Sequence, residues 1–288
     1  MAVERAEAGT GDAARLSRLR VRGLRGRLAV VLLAPLYRVY TARLRREVRR
    51  VPPPNHVAVI LDGNRRWASL AGLVEPGAGH RRGADKIDEM LSWCADLRIG
   101  EVTVWALSNE NLARPQAELS ALFAIVTDKL VALAERARGQ APPMRIRVFG
   151  RLEALPERLS KTIEQVEAET AGHEGLTLNV ALGYSGRDEL VDATRALIRM
   201  LAAQGIPAEE MVDHVCSEAL AGHLYTAEHS DPDLIIRTSG EMRLSGFLPW
   251  QSTHSEFYFT DVYWPAFREL DFLRAVRTFQ QRERRFGL

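Results

Sequence analysis

The chain has 288 residues, enough for one large domain or two small ones. With 46% hydrophobic and 26% charged residues it reads as an ordinary globular protein, which excludes disordered, fibrous and membrane-embedded classes. Its two cysteines, Cys94 and Cys216, are far apart and in no metal-ligand spacing, so they argue against a disulfide framework and for a reducing, cytoplasmic compartment. The net charge is +2, but residues 1–51 carry thirteen Arg and four acids, about +9, leaving about −7 on the remainder.

Residues 1–13 are small and polar and are expected to be disordered. From Arg15 to Arg27, Leu and Val alternate with Arg, and an apolar run, Leu28–Leu36, follows. Nine apolar residues fall well short of the roughly 20 that span a bilayer. The long basic stretch before them, with no clear small-residue cleavage site after, is wrong for a signal peptide. From Leu36 to Leu44 the pattern is that of an amphipathic basic helix. It has two readings: a helix lying peripherally on an anionic membrane, at the inner face of the plasma membrane, or a helix packed on the body or on a partner subunit. Val51-Pro-Pro-Pro54 breaks it, dividing a basic N-terminal extension (1–51) from a main domain (52–288).

Beyond Asn55, strands alternate with helices. The predicted strands are 57–61, 101–107, 144–149, 176–182, 233–236 and 256–260; the predicted helices are 82–97, 116–138, 154–171, 186–203, 208–220 and 269–284. Such alternation implies an α/β fold, a single domain with a mostly parallel six-stranded sheet flanked by helices. In that fold the loops after strand C-termini carry the chemistry. The first is the most informative. Val57-Ala-Val-Ile-Leu61 is a short buried strand, stopped by Asp62-Gly63-Asn64, after which Arg65, Arg66 and Trp67 open a helix. Free N–H groups at a helix start and two Arg side chains suit a phosphate, which Asp62 would repel unless a divalent cation lay between them. The later loops add Ser108, Asn109, Glu110, Asn111 and Arg114, then Arg237 and Arg243; the last strand opens with Glu256. Singly, each has a bland role: Asn111 as a helix cap, His80 as a loop histidine, the Arg side chains as partners of surface acids. Together, five phosphate-capable Arg (65, 66, 114, 237, 243) and two acids (Asp62, Glu256) map to one predicted rim, a pattern suited to diphosphate and Mg²⁺.

These residues also carry a resemblance. Asp62-Gly-Asn-Arg-Arg-Trp-Ala, Gly79-His80, Ser108-Asn-Glu-Asn-Leu-Ala-Arg-Pro115, Leu178–Arg187, Ile236-Arg-Thr-Ser-Gly-Glu241, Arg243–Gln251 and Arg282–Gly287 resemble the cis-prenyltransferases across about residues 55–288. The family includes undecaprenyl diphosphate synthase and the short-chain Z-isoprenyl diphosphate synthases of actinobacteria. The resemblance implies a homodimer that joins isopentenyl diphosphate to an allylic diphosphate with cis geometry, using Mg²⁺. It implies that Asp62 binds the metal, that Gly63, Asn64, Arg65, Arg66 and His80 hold the allylic diphosphate, and that Arg237, Arg243, Leu244 and Ser245 hold isopentenyl diphosphate. Asn111 matches the position assigned to proton removal. Trp67, Leu112, Arg114 and the loop Ser108, Asn109 and Glu110 match substrate-contacting positions, and Glu256 matches a metal-binding acid at the dimer interface. An apolar tunnel is needed for the chain, with Leu91, Trp93, Leu107, Leu112, Phe123 and Ile125 as candidates.

Three departures stand out. Glu75 falls near the position of a substrate-binding Arg, Met242 replaces a metal-binding His, and the small Ala106 leans toward a long product while Trp93 leans toward a short one. The competing class is a non-catalytic prenyl-binding partner subunit of a heteromeric prenyltransferase, against which stand Asp62, Asn111, Arg237 and Arg243, all present. A phosphatase would want a second acid two residues after Asp62, where Asn64 stands. No nucleic-acid recognition motif is evident, so no nucleic-acid partner is expected.

Overall fold

A computed structural model describes residues 24–75, 77–139 and 143–282. The tail 1–13, most of the Arg-rich segment 15–27 and the motif beyond Arg282 lie outside the described residues. Six strands form one sheet: β1 (His56–Ile60), β2 (Glu101–Ser108), β3 (Met144–Phe149), β4 (Leu176–Tyr184), β5 (Leu234–Arg237) and β6 (Glu256–Phe259). Their order is β3-β4-β2-β1-β5-β6, and every neighbouring pair is parallel, so the sheet is wholly rather than mostly parallel. All five residues of β1 are buried, as expected of a central strand covered on both faces.

One face carries the main core. Val57 and Val59, Val102 and Val104, and Leu178 and Val180 meet apolar residues of five helices: α1 (Leu24–Val48), α3 (Ala78–Asp96), α4 (Gln116–Gly139), α5 (Glu157–Thr170) and α8 (Glu269–Gln281). On the other face Ala58, Ile60, Ala181 and Tyr184 pack with Phe247 and Leu248. The remaining helices are α2 (Asn64–Ala71), α6 (Gly186–Ala203) and the short α7 (Ser217–Ala221).

Two helices depart from expectation. The span 82–97 starts earlier, at Ala78, behind the left-handed Gly77 (φ 82°). The span 208–220 breaks into a 3₁₀ turn (Met211–His214) and α7, because Val212 and Val215 are exposed and give a continuous helix no apolar face to bury. The C-terminal half of α1 lies on the body. Leu44 and Val48 are in the main core, Arg45 Nε donates to Glu269 (2.7 Å), and Gln280 donates to the Val48 carbonyl (2.9 Å). Burying those two side chains stabilises by about 1.5–3 kcal/mol each. Among the described residues, no helix is long and apolar enough to cross a membrane.

The order of the strands positions the site. From β1 the chain crosses to β2 on one side, and from β5 to β6 on the other, so the loops after these neighbours diverge. Ligands bind at such switch points, beyond the strand C-termini. Ile60 and Arg237 are register partners there, with Asp62 two residues on.

Candidate active site

Asp62 is fixed first through its backbone. Its N–H donates to Thr238 Oγ1 (3.0 Å), and that hydroxyl donates back to the Asp62 carbonyl (2.7 Å), which also accepts from the Trp264 N–H (3.0 Å). Gly63 then turns the chain at φ 102°; a Cβ there would fall 2.6 Å from Tyr263 Cδ1. Helix α2 follows with no side-chain cap, so its first N–H groups are open to an anion.

The Asp62 carboxylate lies between two guanidiniums. Arg237 Nη2 is 3.2 Å from one oxygen and Arg66 Nη2 3.3 Å from the other. Burial would raise this carboxyl, but hydrogen bonds from Arg237 and Ser239 and the charge of Arg66 outweigh it and hold it below its ordinary value. Arg237 is itself 5% exposed; it donates to Ser245 Oγ (2.8 Å) and to the Arg243 carbonyl, and its Nε is buried without a hydrogen-bond partner among the described residues. Arg66 also meets Ser239 Oγ (2.8 Å), Glu241 (3.5 Å) and the Tyr263 ring. Opposite, Arg65 and Arg114 share Glu118, at 3.7 and 3.0 Å. His80 stands beside them. Burial, then repulsion from Arg114 and Arg65, lowers its pKa to about 4, so it is neutral at pH 7.

Asp62, Arg65, Arg66, His80, Arg114 and Arg237 meet in one cleft of about 670 Å³. Of the sequence-predicted residues, Asp62, Gly63, Asn64, Arg65, Arg66, His80, Ser108, Asn111, Arg114 and Arg237 line it. Arg243 is outside that lining, exposed and paired with Glu241 (2.6 Å), while its carbonyl and the Ser245 hydroxyl both accept from Arg237. Leu244 packs on the second-face core and Leu112 on the main core; Asn109 donates to Asp188 (2.6 Å), Glu110 is exposed and Trp67 is half-buried, and none of these lines the cleft.

Glu256 corrects the single-rim expectation. It opens β6 opposite Leu234, at the N-terminal end of the sheet, and pairs with Arg282. Three strand residues, about 10 Å, separate that level from Arg237. Within one protomer it therefore shares no ion with Asp62. Met242 is exposed, and Glu75 pairs with Arg81 outside this cleft. Several contributing residues carried no assigned role in the sequence. Thr238, Ser239 and Glu241 lay in a quoted loop where only Arg237 was given one; Glu118 and Tyr263 had no local signal at all.

A second cavity of about 70 Å³ opens off the cleft between α3, α4 and the sheet. Leu61, Asn64, His80, Ala106 and Leu122 line both. Ile87, Val104, Ile125, Val126, Leu130, Leu133 and Trp264 make its wall apolar. Of the six tunnel candidates only Ile125 lines it. Trp93 turns instead onto Phe267 and Phe272, with centroids at 6.3 and 5.9 Å, and the indole at this cavity belongs to Trp264.

The family model described as "Putative undecaprenyl diphosphate synthase" matches residues 60–287. The chain is 49% identical over 257 residues to the (2Z,6E)-farnesyl diphosphate synthase of Thermobifida fusca, covering 89% of this chain and 99% of that one. It is 48% identical over 261 residues to an isoprenyl transferase of Thermus thermophilus, covering 91% and 99%. The crystal structure of lavandulyl diphosphate synthase from Lavandula x intermedia, in complex with dimethylallyl diphosphate, superposes with a TM-score of 0.76 at 34% identity, over 82% of this chain and 99% of that one. On the family match and on relatives spanned almost end to end, the chain belongs to the cis-prenyltransferases.

Proposed function

We propose that this chain condenses isopentenyl diphosphate with an allylic diphosphate to give a Z-configured prenyl diphosphate, with Mg²⁺ held by Asp62. The observation that carries this reading is a cationic cleft adjoining an apolar cavity with which it shares five lining residues. Such a pair suits a molecule with a polyanionic head and a hydrocarbon tail.

Asp62 is the one acid that lines the cleft, and no group of three His, Cys, Asp or Glu forms a metal cage among the described residues. That donor set fits Mg²⁺, which takes one or two carboxylates and completes its shell with phosphate oxygens and water. Held by Asp62, Mg²⁺ would supply positive charge against the departing diphosphate. Arg65, Arg66 and the N–H groups of α2 hold that diphosphate, and neutral His80 offers it a hydrogen bond without a fixed charge. Arg237 and Arg243 hold isopentenyl diphosphate. As the allylic carbon–oxygen bond breaks, the double bond of isopentenyl diphosphate attacks and a carbon–carbon bond forms. The proton then lost passes to a diphosphate oxygen oriented by Asn111, a neutral amide too weak to be the base itself. Donors fixed before the reaction stabilise the developing charge at low reorganisation cost.

Two further parts belong to the same reading. We also propose a homodimer in which the partner's Glu256 serves as a metal-binding acid at the interface, a role Glu256 cannot share with Asp62 inside one protomer. The exposed Leu36 and Val39 of α1, among exposed Arg side chains, touch an anionic membrane. The test is a product assay with labelled isopentenyl diphosphate, Mg²⁺ and dimethylallyl, geranyl or farnesyl diphosphate, products being resolved by length. Incorporation that requires both substrates and the metal is expected; no product with any starter overturns the reading.

A further inference from the structure

The apolar cavity has one charged residue deep in its wall. Lys129 of α4 lines it between Val126 and Leu130, only 13% of its side chain is exposed, and its ammonium pairs with Asp88 of α3. Arg136, two turns further along α4, reaches the same carboxylate at 3.3 Å. The pair therefore ties together the two helices that bound the cavity. Beyond Lys129 the wall is apolar again, at Leu130, Leu133 and Leu178.

Resting on the cis-prenyltransferase reading above, we propose that the Asp88–Lys129 pair sets product length, stopping the chain at about three isoprene units. The depth gives the number. Leu122, shared by cleft and cavity, marks the mouth, and Lys129 lies seven residues further along α4, about 10 Å at 1.5 Å per residue. A peptide residue adds three chain bonds and extends by about 3.5 Å; an isoprene unit adds four and extends by roughly 4.5 Å. One unit at the mouth and about two more reach the level of Lys129. A fourth unit has to push between α3 and α4 or lie against the ammonium. Separating the pair would leave the Lys129 ammonium, on a side chain only 13% exposed, without its counter-ion, although the Asp88 carboxylate is itself 39% exposed and keeps Arg136. The small Ala106 does not oppose this, because it lies at the mouth and not at the depth where the chain ends.

The full-length chain is supplied with labelled isopentenyl diphosphate, geranyl diphosphate and Mg²⁺, and products are resolved by length for the wild type, Lys129→Met, Asp88→Asn and Lys129→Arg. The wild type is expected to end at three units. Lys129→Met and Asp88→Asn are each expected to lengthen the main product by one unit or more, and Lys129→Arg, which keeps the charge pair, to leave it unchanged. The double variant Asp88→Asn/Lys129→Met, which leaves neither Asp88 nor Lys129 charged, carries the same test should Lys129→Met fail to fold. Wild-type product lengths in both neutral variants overturn the proposal, as does equal lengthening in Lys129→Arg or a long-chain product from the wild type. A wild type that forms no product from any allylic starter overturns the underlying reading instead.

Discussion

At the scale of single residues, the site is a set of charges held against one another. Asp62→Ala is expected to lower turnover on the order of 10³-fold or more, with circular dichroism unchanged, because the proposed metal ligand and the poise of Arg237 would be lost together. The fold should persist, since Thr238 and Trp264 grip the backbone of residue 62 and not its side chain. His80 gives a pH test. Its folded pKa of about 4 is below the value near 6.5 expected when unfolded. The unfolded chain thus binds more protons in that window, and the stability owed to neutral His80 is present above about pH 6.5 and lost as pH falls toward 4. Urea midpoints between pH 7 and 4.5 should fall more steeply for the wild type than for His80→Gln; parallel curves would count against the assignment. Asp62 and the five arginines were legible from the sequence because carboxylate and guanidinium groups on loops after strands announce their chemistry. Thr238, Glu118 and Tyr263 were not, because their roles exist only through contacts made across the fold. Glu256 did not belong on the rim read within one chain, because a strand-opening acid marks the end of the sheet opposite to the site.

At the scale of elements, the turn after β1 sets the aim of α2. Gly63 combines φ 102° with close approach to Tyr263. Gly63→Ala should cost about 1–3 kcal/mol from backbone strain, before any clash is counted. Adding Tyr263→Ala should recover only part of the loss in a urea titration, since it makes room for the Cβ but leaves the dihedral strained. The strands were read to within a residue or two because apolar, β-branched runs between turn formers have few other uses. Helix 208–220 was overread because residue pattern alone does not say whether a neighbour exists to cover Val212 and Val215. The lining of the apolar cavity was largely missed for a similar reason. Trp93 and Trp264 look alike in sequence, and packing alone sends one to Phe267 and Phe272 and the other to the cavity.

At the scale of the whole molecule, the basic extension is partly structural. A chain shortened to residues 36–288 keeps Leu44, Val48 and the Arg45–Glu269 pair and serves as the reference. Deleting residues 1–50 removes all three and should lower the melting temperature by several degrees. Equal melting temperatures for the two deletions would show that the docking of α1 on α8 contributes little. Asp62, shared between Arg66 and Arg237, has a thermodynamic consequence of its own. A cation arriving alone must compete with two guanidiniums for the carboxylate. A diphosphate arriving alone must draw a guanidinium away from that carboxylate. Each ligand removes the other's obstacle, so their affinities are linked, and each must tighten the other by the same factor, typically 5–150-fold. Calorimetric titration with Mg²⁺ should therefore give little heat in buffer and a clear isotherm once an unreactive diphosphate is bound. Such a site stays silent to either ligand at modest concentration and responds to the two together.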